Sequence, residues 1–75
     1  MNTPLPGFAR FYVYVPHGQE HKRKLGLLNL AATIPFPETL RAADVRAILI
    51  LNGYPDSITV RVTRAGATDE ATPTL

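Results

Sequence analysis

Phe8-Ala9-Arg10-Phe11-Tyr12-Val13-Tyr14-Val15 alternates with a period of two, the repeat of a β-strand whose two sides meet different surroundings. Ala9, Phe11, Val13 and Val15 make one side, which reads as core. Phe8, Arg10, Tyr12 and Tyr14 make the other, which is aromatic and basic rather than merely polar. A second alternating stretch, Ser57-Ile58-Thr59-Val60-Arg61-Val62-Thr63-Arg64, turns Ile58, Val60 and Val62 inward and Thr59, Arg61 and Thr63 outward. These two strands frame everything between them.

Pro16-His17-Gly18-Gln19-Glu20 is a run of turn formers and ends the first strand. Residues 24–34 read as a second strand, hairpin-paired with the first. A helix over Gln19–Ala32 is the rival, because Leu, Ala and Lys are good helix formers. Gly26 and Asn29 weigh against it, and Ile34 before Pro35 is pushed to extended backbone. Pro35-Phe36-Pro37 stops the strand. Pro37 suits the first turn of a helix, and Glu38 the positive end of its dipole. The helix then runs on to Leu51, with Asn52-Gly53 as a left-handed cap and Pro55 beyond it. Ala47-Ile48-Leu49-Ile50-Leu51 also suits a buried strand. No turn signal separates it from Ala42-Ala43-Asp44, so one continuous helix is the reading.

The expected fold is a small single α+β domain in β-β-α-β order. It has a three-stranded sheet, order 2-1-3, with one helix packed on one face. A right-handed crossover would set strand three parallel to strand one. The arrangement is similar to the front of a β-grasp, ubiquitin-like unit, a likeness of element order that implies nothing about function. Residues 1–7 read as a flexible arm and residues 65–75 as a disordered tail, which leaves 8–64 as the domain.

Seventy-five residues with 45% apolar content make one small globular domain. Domains this short rarely draw more than about 3–5 kcal/mol from their core. The chain has no cysteine, which excludes disulfides and thiolate metal sites and leaves oligomerisation or a partner protein as the common reinforcement. The start of the chain lacks the basic and apolar regions of a secretory signal. The apolar run Ala47–Leu51 is far short of the roughly 20 residues of a membrane span. A soluble, cytoplasmic protein is the expectation. Net charge is +2. With Asp69 and Glu70 of the expected tail set aside, eight bases face four acids, about +4. That suits an acidic protein surface or nucleic acid, without the basic stripe of a strong nucleic-acid binder.

His17-Gly18-Gln19-Glu20-His21 matches H-x-x-E-H, the spacing of inverted zinc peptidases. That chemistry needs both histidines on one helical face, a third ligand and the glutamate beside an open zinc position. Pro16 and Gly18 place the motif in a turn, so no metal and no cofactor is assigned. Lys22, Arg23 and Lys24 form a basic loop, able to contact phosphates or simply solvated. Ser57 is the only serine and has no strained elbow around it, and no Gly-rich loop is present to cradle phosphate. The chain reads as a non-enzyme.

Arg10, Tyr12, Tyr14, Arg61 and Thr63 are the candidate binding face. Bases stack on such aromatics at ~1–3 kcal/mol each. Tyr and Arg are equally the residues enriched in protein interfaces. Protein contact takes precedence, because so small a core gains from covering an open sheet face. The expected function is a small regulatory or adaptor protein. It would dock on a larger partner, such as a nucleic-acid-handling or transcription complex, or self-associate as a homodimer. Direct single-stranded nucleic-acid binding by the same face is the alternative, and no membrane partner is expected. Strand two, at the sheet edge around Leu27-Leu28-Asn29, also invites strand addition.

Overall fold

In the β1 strand, Phe8–Pro16, the alternation of the sequence becomes a division of surfaces: Phe11 and Val13 are fully buried while Phe8 and Tyr12 are exposed. The structure, a computed structural model, describes residues 5–16 and 28–73. It continues with β2 (Leu28–Pro37), α1 (Ala42–Leu51), β3 (Thr59–Arg64) and β4 (Ala67–Ala71). The strands form one antiparallel sheet in the order β2-β1-β3-β4. The single small α+β domain is therefore as expected, and so is the order 2-1-3 of the first three strands. The sheet has four strands rather than three.

The fourth strand replaces part of the expected disordered tail. Ala67-Thr68-Asp69-Glu70-Ala71 has few strand formers, which is why composition alone reads it as a tail. It forms because Ala65 and Gly66 both take positive φ, 50° and 79°, in a two-residue turn. Two such residues make the hairpin turn whose twist matches paired strands. Asp69 then finds two partners. Its Oδ2 accepts the Ala42 N–H at 2.7 Å and lies 3.7 Å from the Arg64 guanidinium.

β1 and β3 are antiparallel, with Tyr12 opposite Arg61 and Tyr14 opposite Thr59. The expectation of a parallel pair applied the crossover rule to the wrong strands. The helical crossover joins β2 to β3, which run the same way with β1 between them. Since β1 is antiparallel to β2, it is antiparallel to β3 as well. The likeness to a β-grasp front was one of element order; the order β-β-α-β is present, with β4 added after it and with β1 and β3 antiparallel.

β2 runs through Pro35 and Pro37 instead of stopping before them. It is an edge strand, where a missing N–H need not cost a ladder bond. Its register against β1 shifts between Val13 and Tyr14, whose partners are Ala32 and Leu30, so Ala31 is bulged out. Pro37 consequently belongs to the strand and not to the helix. Its carbonyl accepts the Leu40 N–H in a turn, and α1 begins at Ala42.

The start of α1 is capped from a distance. Arg41 holds the N-cap position with extended backbone, but a guanidinium has no acceptor to offer. Asp44 Oδ2 accepts the Arg41 N–H at 3.1 Å, and the Asp69 carboxylate takes the Ala42 N–H. Arg64 adds bonds from its guanidinium to the Glu38 and Leu40 carbonyls. The other end follows the sequence reading. Gly53, at φ 108°, sends its N–H to the Ile50 carbonyl, and the Tyr54 N–H reaches Leu49, a Schellman closure. Ala47–Leu51 is thus helix. Arg46 ties α1 to the next loop through the Ile58 and Asp56 carbonyls.

The core consists of Phe11, Val13, Ala42, Val45, Leu49, Ile58, Val60 and Val62. Phe36 meets Phe11 edge-on, with centroids 5.9 Å apart. The helix packs chiefly on β3 and β4. It covers one face of the sheet, and among the described residues no element covers the other.

Candidate binding face of the sheet

The bare face is built by register. From β1 it takes Phe8, Arg10, Tyr12 and Tyr14, and from β2 their partners Pro37, Pro35, Thr33 and Leu30. β3 adds Thr59, Arg61 and Thr63, and β4 adds Glu70 and Thr68 opposite the last two. The five residues singled out in sequence therefore share one surface. Lys22, Arg23 and Lys24, with His17, Glu20 and His21, lie outside the described residues.

Within this surface the two arginines behave differently. Arg61 donates from Nη2 to the Tyr14 hydroxyl at 2.5 Å, and its guanidinium carbon lies 5.1 Å from the Tyr14 ring centre. That is a cation–π contact in addition to a hydrogen bond, so Arg61 and Tyr14 are largely taken up with each other. Arg10, half-buried between Phe8 and Tyr12, has no hydrogen bond or ion pair among the described residues. The Arg64–Asp69 ion pair sits on the helix side of the sheet.

Thr63 Oγ1 and Thr68 Oγ1 approach to 3.4 Å. Thr59 is an outward residue by register, yet only 3% exposed. The usable surface is thus centred on β1 and β2: Phe8 (42% exposed), Tyr12 (36%) and Leu30 (54%), with Arg10 among them.

Leu30, Pro35 and Glu70 were not singled out from sequence. Leu30 reaches this face only through the bulge at Ala31, which no pattern of period two announces. Glu70 arrives with β4. It restores an acid beside Arg61, so the sheet carries less positive charge than the +4 obtained when the tail is set aside.

Among the described residues there is no cluster of three or more His, Cys, Asp or Glu side chains that could hold a metal ion, and no helix long and apolar enough to cross a membrane. No family model matches the chain, and no curated protein or solved structure is significantly similar to it.

Proposed function

We propose that this protein is a non-enzymatic binding module, regulatory or adaptor in role, that docks on a partner polypeptide through the bare face of its sheet. The observation that carries this reading is the row Phe8, Tyr12 and Leu30, exposed around an arginine that has no partner among the described residues. Phe8, Tyr12 and Leu30 would take apolar side chains of the partner, and Arg10 a carboxylate. A desolvated arginine that gains a carboxylate is a typical interface anchor.

Nucleic acid is the second reading, and Arg10 beside the exposed Tyr12 ring favours it. Two features weigh the other way. Arg61 is spent on Tyr14 rather than turned to a phosphate, and Glu70 would repel one.

A photo-crosslinking residue at position 12, with the same residue at exposed position 67 as reference, tests the choice in cells. Cross-links to a polypeptide from position 12, abolished by Arg10→Glu, are the expected result. Saturable binding of labelled single-stranded oligonucleotide at low salt, lost in Tyr12→Ala, would replace this reading with the second.

A further inference from the structure

The residues that close α1 are also a chemically labile pair. Asn52 precedes Gly53, and asparagine is among the thermolabile side chains. The backbone nitrogen that follows an asparagine can attack its side-chain amide carbon and close a ring. Glycine leaves that nitrogen least shielded, because it has no Cβ. The chain has three asparagines, and the residues after the other two are Thr3 and Leu30. Asn52 and Gly53 are both exposed, so water reaches them.

The fold sets these atoms against the reaction. Asn52 stands at φ −99° and ψ 14°. At that ψ the Gly53 nitrogen is nearly eclipsed with the Asn52 nitrogen and lies across the Cα–C bond from Cβ. Ring closure needs that bond turned until the nitrogen lies beside Cβ. Three hydrogen bonds oppose the turn. The Gly53 N–H donates to the Ile50 carbonyl at 3.1 Å, and the Tyr54 N–H to the Leu49 carbonyl at 3.0 Å. The Asn52 side chain is held as well, since Nδ2 donates to the Ile48 carbonyl at 2.8 Å. Tyr54 packs against the core that contains Leu49, so turning the link displaces a packed side chain too.

We infer that Asn52 is a site of spontaneous deamidation gated by the C-terminal closure of α1. It converts to aspartate and isoaspartate in chains whose helix end has opened, and the closed end holds the reaction off. In the open chain the Gly53 nitrogen loses its proton and bonds to Asn52 Cγ. The Cγ–Nδ2 bond breaks, and the amide group leaves with that proton as ammonia. One water then adds to either carbonyl of the ring and opens it. Addition at the side-chain carbonyl gives aspartate. Addition at the backbone carbonyl gives isoaspartate, in which the chain runs on through the side chain. The sum is amide plus water to carboxylic acid plus ammonia, with nothing oxidised or reduced.

Neither product fits the closure. Aspartate has no N–H for the Ile48 carbonyl, and its charge sits at the negative end of the helix dipole. Isoaspartate adds a backbone carbon inside the turn that Gly53 and Tyr54 close. A converted chain therefore opens more readily than before, and the change marks chains that have spent time open. This site is separate from the sheet face proposed above to dock a partner.

Timed incubation of the full chain in mildly alkaline buffer, with and without urea, followed by peptide mass spectrometry, tests the inference. In urea Asn52 should convert ahead of Asn2 and Asn29, to a mixture of aspartate and isoaspartate. In native buffer the conversion should be slower by about tenfold or more, the factor that ~1.4 kcal/mol of local opening free energy supplies. Hydrogen exchange at the Gly53 and Tyr54 amides reads the same opening and should show protection of the same order. Asn52→Asp, made directly, should melt about 2–8 °C lower than the original chain. Equal rates with and without urea overturn the gating, as does slow conversion at a helix end whose amides exchange freely. No preference for Asn52 in urea overturns the site. An Asn52→Asp chain that melts no lower than the original overturns the link between conversion and opening.

Discussion

The two edges of the sheet are protected by opposite means. β2 is ten residues long, without charge, and is blunted by a bulge at Ala31 and by Pro35 and Pro37. β4 is five residues long and carries Asp69 and Glu70. Prolines and bulges deny a neighbouring chain its hydrogen bonds, while charges and shortness make the pairing unfavourable. The difference goes further than edge protection. β2 is held mainly by its long ladder to β1, whereas β4 is held by its hairpin turn and by one carboxylate at the start of the helix.

Removing residues 67–75 should have the largest effect. It exposes the free edge of β3, takes the cap from α1 and leaves Arg64 without Asp69. A core of this size supplies only about 3–5 kcal/mol, so the shortened chain should lose its cooperative thermal transition. If residues 67–75 were a tail, the melting curve would not move. Asp69→Ala should come next, costing roughly 1–2 kcal/mol in urea unfolding, the usual worth of an N-terminal cap. Asp69→Asn keeps an acceptor and gives up only a half-exposed ion pair, so it should cost less, about 0–1 kcal/mol. Equal losses in the two variants would mean that charge, not capping, holds β4. Pro35→Val should have the smallest effect on stability, within about 0.5 kcal/mol, as for other surface changes. Its consequence should appear in light scattering, as faster self-association through the restored edge. No change in scattering would show that the bulge alone protects β2.

What was legible in the sequence follows the same division. β1 and β3 were legible because their own residues decide them: alternating side chains settle which side is buried. The helix C-terminus was legible because Asn52-Gly53 carries its own closure. β4 was not, because its residues favour no strand and its partner, the Ala42 N–H, lies 27 residues away. The extent of β2 was hidden for a related reason. Pro35 and Pro37 argue against a central strand, and their place at an edge is known only once the sheet order is. Of the candidate site, the shared placement of Arg10, Tyr12, Tyr14, Arg61 and Thr63 was readable from parity. The engagement of Arg61 with Tyr14 was not, since parity says which side a residue faces and nothing about where a long side chain turns.

The distant cap has a consequence for how the protein is made. Synthesis delivers α1 early and Asp69 late. A growing chain carries α1 without this distant cap until residue 69 has cleared the ribosome. Closure of the helix start thus waits on a side chain 27 residues further along the chain.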